Sequence, residues 1–375
     1  MAYTNIDDPS AFFQTALYTG NGSHPRNITN DGNSDLKPDF LWLKKRNQAG
    51  TNHVLANSSI GWDAPKGQGY PWEDGPFGGQ MASDSTGAES TPAATYGYVS
   101  AALTDGFTAA AGGTNGDTVN QNGKTFVAWQ WKANGGTTAS NTDGTITSTV
   151  QANTDAGFSI QTFTSASSGN SNWGHGLGVT PDVFIVKRRD GTSSWWGHWK
   201  GTSRTAGSGN NWQYMPLNST AAATSLSTFK ADSTTITTSN DFVPNSASML
   251  CYAFAEKQGY SKFGKYVGNG SADGPMVYTG FKPAFLIMKR TDSTGAWHIF
   301  DNKRSGYNYA NDVLQADATA AELSGQTYQF VDFLSNGFKN RRATHGPNVS
   351  GATYIYMAFA ENPFVTSTGV PTTAR

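Results

Sequence analysis

The sequence predicts an all-β chain of three tandem antiparallel β-sandwich units. Three observations carry this reading. A ten-residue phrase occurs three times, at 37–46, 180–189 and 282–291: a proline, an apolar run, then a basic cluster. Short β-branched and aromatic runs alternate with Gly, Asn, Pro and Ser turns, the pattern of sandwiches and barrels. Helical periodicity is nearly absent, and a fixed internal period marks a repeat architecture.

The bulk properties agree. The chain has 375 residues, more than one core usually serves. Only 14% of residues are charged while 13% are aromatic, which argues against disorder. The net charge of −1 offers no basic face for phosphates, so nucleic acid is not an expected partner. The single Cys251 lies in an apolar run and reads as a buried, inert thiol. The N-terminus lacks the basic and apolar regions of an export signal, and no apolar run approaches the length of a membrane helix, so membrane insertion is not expected.

Unit one, 1–135, opens on Phe12 to Gly22, a strand closed by a Gly-Asn-Gly turn. Its phrase, Pro38 to Arg46, reads as a central strand because Phe40-Leu41-Trp42-Leu43 is apolar on both faces. The proline precedes the run, where a missing N–H costs no ladder bond. A Gly/Pro/Trp-rich stretch at 61–95 forbids long regular elements and reads as an insertion. Spacing supports this: 88 residues separate Pro38 from Phe126, against 68 from Pro181 to Met249 and 71 from Pro283 to Tyr354. Thr104-Asp105-Gly106-Phe107 and a closing strand, Phe126 to Trp131, complete the unit; Asn122-Gly123 before the latter is a hairpin signal.

Residues 136–145 have the composition of a flexible linker. Unit two, 146–258, repeats the opening strand at 157–164 and the closing strand at 248–256. Unit three, 259–365, repeats them at 263–270 and 353–361, with the Asp-Gly-Phe phrase returning as Asn336-Gly337-Phe338. Residues 311–322 tempt a helix reading, but their polar, Thr-rich counterpart in unit two favours strand plus loop. The final 366–375 reads as a tail.

No residue pattern points to catalysis. His24, His53, His175, His198, His298 and His345 form no His-x-x-x-His or His-Glu pair, so they read as packing histidines and no metal or cofactor is expected. Asp39 and Asp182 recur at one phrase position, where unit three has Ala284; a turn or cap role suits them. The clusters Lys44-Lys45-Arg46, Lys187-Arg188-Arg189 and Lys289-Arg290 read as solvated strand ends or interface pairs. The aromatic surplus is the best binding candidate: Trp62, Tyr70 and Trp72 in the insertion, and Trp173, Trp195, Trp196, Trp199, Trp212 and Tyr214 in unit two. Rings exposed among Gly, Asn and Ser stack on sugars or anchor interfaces; the competing reading is that they fill loop cores.

Taken together, the Gly-Asn-Gly opening, Pro38-Asp39-Phe40-Leu41-Trp42-Leu43-Lys44-Lys45-Arg46, the Asp-Gly-Phe phrase, Phe126 to Ala133 and the ending at 354–364 resemble a repeated domain of unassigned function in virion structural proteins of tailed phages, particularly marine ones such as cyanophages. The resemblance covers about residues 12–365. It implies a jelly-roll or lectin-like sandwich, made in the host cytoplasm and located on the virion as a tail fibre, tail tip or head fibre. It implies other virion proteins as partners, a homo-oligomer, and a host-surface glycan or protein receptor. It supplies no catalytic residue. The family often carries a cysteine in the first closing strand, where this chain has Gln130. Two further readings remain: a capsid decoration protein and a carbohydrate-binding module array.

Overall fold

The computed structural model describes residues 4–61, 80–89, 96–113, 117–204, 212–225, 228–325, 330–343 and 346–372. The fold is all-β: among these residues, antiparallel strands and two single-turn 3-10 helices account for the regular structure.

The sheets come in pairs, one pair per stretch of chain. The first stretch holds β1 (Phe13–Thr19), β2 (Arg26–Ile28), β3 (Phe40–Lys45), β4 (Val54–Asn57), β5 (Tyr98–Ala102), β6 (Phe107–Ala110) and β7 (Thr125–Trp131). They form a sheet of order β1-β7-β3-β4 and a smaller one of order β2-β6-β5. The second stretch holds β8 (Ala139–Asn141), β9 (Ser148–Asn153), β10 (Phe158–Thr164), β11 (Ser171–Gly174), β12 (Val183–Arg188), β13 (Trp196–His198), β14 (Met215–Pro216), β15 (Phe229–Ala231), β16 (Thr235–Thr238) and β17 (Ser248–Phe254). Its sheets run β14-β13-β12-β17-β10-β9-β8 and β11-β16-β15. The third holds β18 (Ser261–Val267), β19 (Met276–Tyr278), β20 (Phe281–Arg290), β21 (His298–Asp301), β22 (Leu314–Gln315), β23 (Val331–Leu334), β24 (Gly337–Asn340) and β25 (Thr353–Pro363), in sheets β18-β25-β20-β21-β22 and β19-β24-β23.

One order recurs: opening strand, closing strand, phrase strand, next strand. The register recurs too, since the second residue after each phrase proline faces its closing strand at Trp131, Phe254 and Phe359. Each phrase strand lies between two others and buries its apolar run on both faces. The Asp-Gly-Phe phrase starts the middle strand of each outer three-stranded sheet in the first and third stretches. A Cβ on Gly106 or Gly337 would fall about 2 Å from the carbonyl of Ile28 or Val277, so only glycine fits.

The composition of 136–145 suggested a linker, yet Ala139–Asn141 pairs with β9 as an edge strand. Polar residues satisfy an exposed edge as readily as a coil. The 311–322 stretch is strand and turn, as its counterpart implied. Much of the 61–95 insertion lies outside the described residues, with Trp62, Tyr70 and Trp72; His345 does too.

Four apolar clusters form the interior. Three stay within one stretch each, between its two sheets. The fourth takes residues from all three, including Phe13, Trp129, Ile185, Tyr252, Phe285 and Phe359. Tyr252 meets Phe40 at 4.4 Å, Trp199 meets Trp297 at 4.4 Å, and Phe285 meets Trp129 at 5.5 Å. Each larger sheet therefore has two buried faces, one toward its own small sheet and one toward its neighbours. That accounts for strands that are apolar on both sides.

Candidate binding site

The phrase ends are seams between stretches. The three are built alike. The N–H groups of Glu89, Ala223 and Glu322 donate to the carbonyls of Arg189, Thr291 and Arg46 (2.8, 2.8 and 2.7 Å). Three residues earlier, the carbonyls of Thr86, Thr220 and Thr319 accept from Ser193, Gly295 and Gly50 (all 2.9 Å). Four residues earlier again, the carbonyls of Ala82, Pro216 and Gln315 accept from Trp195, Trp297 and His53 ring nitrogens (2.8, 3.1 and 2.9 Å). The first stretch thus docks on the second, the second on the third, and the third on the first. His53 Nδ1 accepts from the Trp42 indole N–H at 2.8 Å, which leaves Nε2 as the protonated nitrogen that donates across the seam.

The basic clusters are seam parts, and their first members are not solvated. Lys44, Lys187 and Lys289 are fully buried. Lys187 Nζ donates to Thr86 and Ser193 carbonyls (2.9 and 2.6 Å), and Lys289 Nζ to Thr220 and Arg290 carbonyls (3.0 and 2.9 Å). Lys44 Nζ donates to the Thr51 carbonyl. Burial pulls each ammonium down to about 8. The solvated-end expectation fails for these lysines because strand-end carbonyls replace water around the charge. The interface-pair expectation suits the later arginines: Arg189 meets Glu89 at 2.5 Å and Arg46 meets Glu322 at 2.7 Å, both across seams. Arg304 joins Glu322 (2.9 Å) and Asp301 (2.5 Å) in a buried network, where Trp129 donates to Asp301 at 3.0 Å. The two cations hold the Glu322 carboxyl below its usual range against the effect of its burial.

The tryptophan-rich loops do not supply exposed stacking rings. Trp195 and Trp199 lie in the shared core, and Trp173 stacks on Phe163 at 4.2 Å inside the second stretch. Tyr214 is buried there too, against Phe242 at 4.7 Å. Trp196 and Trp212 are partly buried; Trp196 packs edge-on to Phe242 and Trp212 lies under Arg204 at 4.2 Å. Trp195 is covered because it stands at a seam, as Trp297 does, while Trp173, Trp196, Trp212 and Tyr214 pack within the second stretch. The histidines of the phrase-flanking strands pack as expected: burial lowers His198 to about 3 and His298 to about 4. Cys251 is buried and burial pushes its thiol well up. Asp39 caps the chain beyond β7, accepting from the Ala133 and Gly135 N–H groups at 2.7 and 2.8 Å.

Exposed aromatic rings lie elsewhere: Tyr96 and Tyr278 singly, and Tyr307 and Tyr309 together on one loop. Tyr307 is 82% and Tyr309 53% exposed, on the loop from Asn302 to Asp312. The loop is fixed at three points. Arg304 anchors its root in the network above. The Asn308 amide exchanges two bonds with the Phe333 backbone (2.8 and 2.9 Å). Ser305 Oγ accepts from the Asn311 and Asp312 N–H groups at 3.2 Å. A Tyr-Asn-Tyr segment held in this way presents tyrosine contact area at low entropic cost. Sequence reasoning passed over it because two tyrosines in Ser305-Gly306-Tyr307-Asn308-Tyr309 carry less apolar signal than the tryptophan clusters.

Among the described residues no group of three or more His, Cys, Asp or Glu side chains is arranged to hold a metal ion, and no helix is long and apolar enough to cross a membrane. No curated protein and no solved structure matches the chain. One family does, over residues 8–363, which is nearly the whole fold rather than a single stretch: the chain belongs to the family described as a domain of unknown function, DUF7483.

Proposed function

We propose that this chain is a structural protein of a phage virion, a tail-fibre, head-fibre or receptor-binding component that works by adhesion and assembly rather than catalysis. On this reading its three stretches are three β-sandwich units closed into a ring about a quasi-three-fold axis. The observation that carries the proposal is the cyclic set of seams, in which each unit's loop docks on the next unit's phrase and the third returns to the first. A ring of three fused copies, with a shared aromatic core and buried cations at every junction, suits a scaffold that must stay folded without disulfides. The Tyr307–Tyr309 loop suits adhesion. The likeness of the repeated phrases to those of tailed-phage virion proteins supports the location. Other virion proteins, further copies of the chain and a host-surface glycan or protein receptor are the partners it implies.

Antibody labelling of intact virions, read by electron microscopy, tests this. Label at a fibre or tail tip is the expected result. Label over the capsid lattice would replace it with the capsid-decoration reading, and unlabelled particles lacking the chain by mass spectrometry would end both.

A further inference from the structure

One carboxylate in the third stretch joins a lysine to a carboxamide. Lys282 Nζ donates to Glu361 Oε1 at 3.2 Å, and the Asn302 amide donates to Glu361 Oε2 at 2.7 Å. The strands bring the three together. Lys282 lies in β20 just before the phrase proline, and Asn302 follows β21, with its N–H on the Ala284 carbonyl at 2.9 Å. Glu361 sits at a bulge of β25: Lys282 faces Asn362 and Pro283 faces Ala360, so Glu361 has no cross-strand partner of its own. A bulge re-aims the side chain it carries, here onto Lys282 and Asn302.

The surroundings differ from those of a surface ion pair. Asn302 is buried, and its Oδ1 has no hydrogen-bond partner. A buried carbonyl left unpaired costs about 1–3 kcal/mol. The two orientations of an amide are close in shape. Turned over, the Asn302 amide places Oδ1 on Glu361, where a protonated carboxyl donates to it. The Lys282 side chain is only 12% exposed. The combination belongs to this stretch alone. Strand register aligns Lys282 with Lys37 and Thr180, Asn302 with Ser58 and Lys200, and Glu361 with Ala133 and Glu256. The first stretch thus lacks the carboxamide and the carboxylate at those places. In the second, Lys200 meets Asp182 at 3.1 Å and Glu256 at 2.8 Å, carboxylates in ion pairs that resist attack by an amine.

We infer that Lys282 and Asn302 condense into an isopeptide bond within the chain, with Glu361 as the proton shuttle. The Lys282 ammonium passes a proton to the Glu361 carboxylate, and the freed amine attacks Asn302 Cγ. The protonated carboxyl steadies the charge that grows on Oδ1. The Nζ–Cγ bond forms and the Cγ–Nδ2 bond breaks. Two lysine protons, carried over by Glu361, leave with Nδ2 as ammonium, and Glu361 returns to the carboxylate. Nothing is oxidised or reduced, and no co-reactant is needed. Holding amine and carboxamide on one carboxylate makes the step intramolecular. Asn302 and Glu361 line a cavity of about 240 Å³ between the third and first stretches, which has room for the departing ammonium. The product ties β20 covalently to the chain beyond β21, in a protein whose single cysteine is free. The inference does not rest on the virion reading, and its failure leaves that reading standing.

Intact mass of the purified full chain, denatured after incubation at physiological temperature, decides the matter. The expected mass is that of the sequence less one ammonia. Trypsin, cutting after Lys265, Lys289, Arg290 and Lys303, is expected to yield one branched peptide that joins 266–289 to 291–303. Lys282→Arg keeps the charge but removes the nucleophile, and is expected to restore the full mass. Glu361→Gln is expected to slow bond formation about 100-fold or more while the circular dichroism of the parent is kept. The full sequence mass in the parent overturns the inference. So does an ammonia loss with the two peptides still separate, the sign of a cyclic imide at Asn302. A branched peptide that forms at the parent rate in Glu361→Gln overturns it as well.

Discussion

Two aromatic loops in this chain have opposite fates. The loop carrying Trp195, Trp196 and Trp199 in the second stretch is richer in aromatic area, and it is largely interior. The loop carrying Tyr307 and Tyr309 in the third is poorer, and it faces solvent. The difference is what each loop has beside it. Trp195 stands at the phrase position over which the preceding stretch lays residues 82–89, so its ring is covered and its N–H is claimed by Ala82. Among the described residues no seam loop covers Tyr307 or Tyr309, and their loop is held from below by Arg304 and Asn308. Aromatic content in this chain therefore reports junctions first.

The contrast is broken most severely at its buried ends. Trp195→Ala removes a covered indole and its cross-seam bond, and a loss of about 3–5 kcal/mol is expected in denaturant unfolding. Arg304→Ala leaves Asp301 and Glu322 as uncompensated buried carboxylates, and a loss of similar size, about 3–5 kcal/mol, is expected. That second change also frees the root of the tyrosine loop, so proteolysis near 303–312 is expected to rise, whereas Trp195→Ala leaves that segment resistant.

A smaller effect separates the loops by pH. Lys187 lies beneath Trp195, and burial sets its ammonium near 8 in the folded chain against 10.5 ordinarily. Between those values the unfolded chain binds more protons, so stability rises with pH. Lys44 and Lys289 act in the same direction. Melting temperature is expected to climb between about pH 8 and 10, and Lys187→Met is expected to remove about a third of the climb. A flat profile in the parent chain would show that these ammonium groups are solvated.

The smallest stability effect belongs to the exposed loop. Tyr307→Ala and Tyr309→Ala are expected to change unfolding free energy by no more than about 0.5 kcal/mol each, as surface substitutions do. Their effect is expected in adhesion of the labelled chain to host cells, which falls while the melting temperature holds.

The sequence made the recurring strands legible, because the phrase, the closing run and the Asp-Gly-Phe turn each carry side-chain identity; their order in the sheets came from the structure. Gly106 and Gly337 are required by a close approach, and such positions leave a mark. The seams were illegible for the opposite reason. Thr86, Thr220 and Thr319 act through their carbonyls, which every residue has, and the side chains that cross the seams, Trp195, Trp297, His53, Arg46 and Arg189 among them, are not of one type. Buried lysines mislead in the same way: composition reports the charge, and only the fold reports the carbonyl cage around Lys187 and Lys289. The exchange of aspartate for Ala284 was visible from the start. That a cavity of about 240 Å³ opens beside Ala284 needed the third stretch to be set against the first.

The central claim is that the third stretch closes on the first. Residues 46 and 322 are 276 positions apart in sequence, yet the Glu322 N–H meets the Arg46 carbonyl at 2.7 Å. The direct measurement pairs Arg46→Cys with Glu322→Cys and scores bridging under mild oxidation or with a short bis-maleimide, by mass and by gel mobility; the native Cys251 is buried and stays silent. The ring predicts rapid bridging within one chain, independent of concentration. Free thiols, or bridges only between chains, would contradict it.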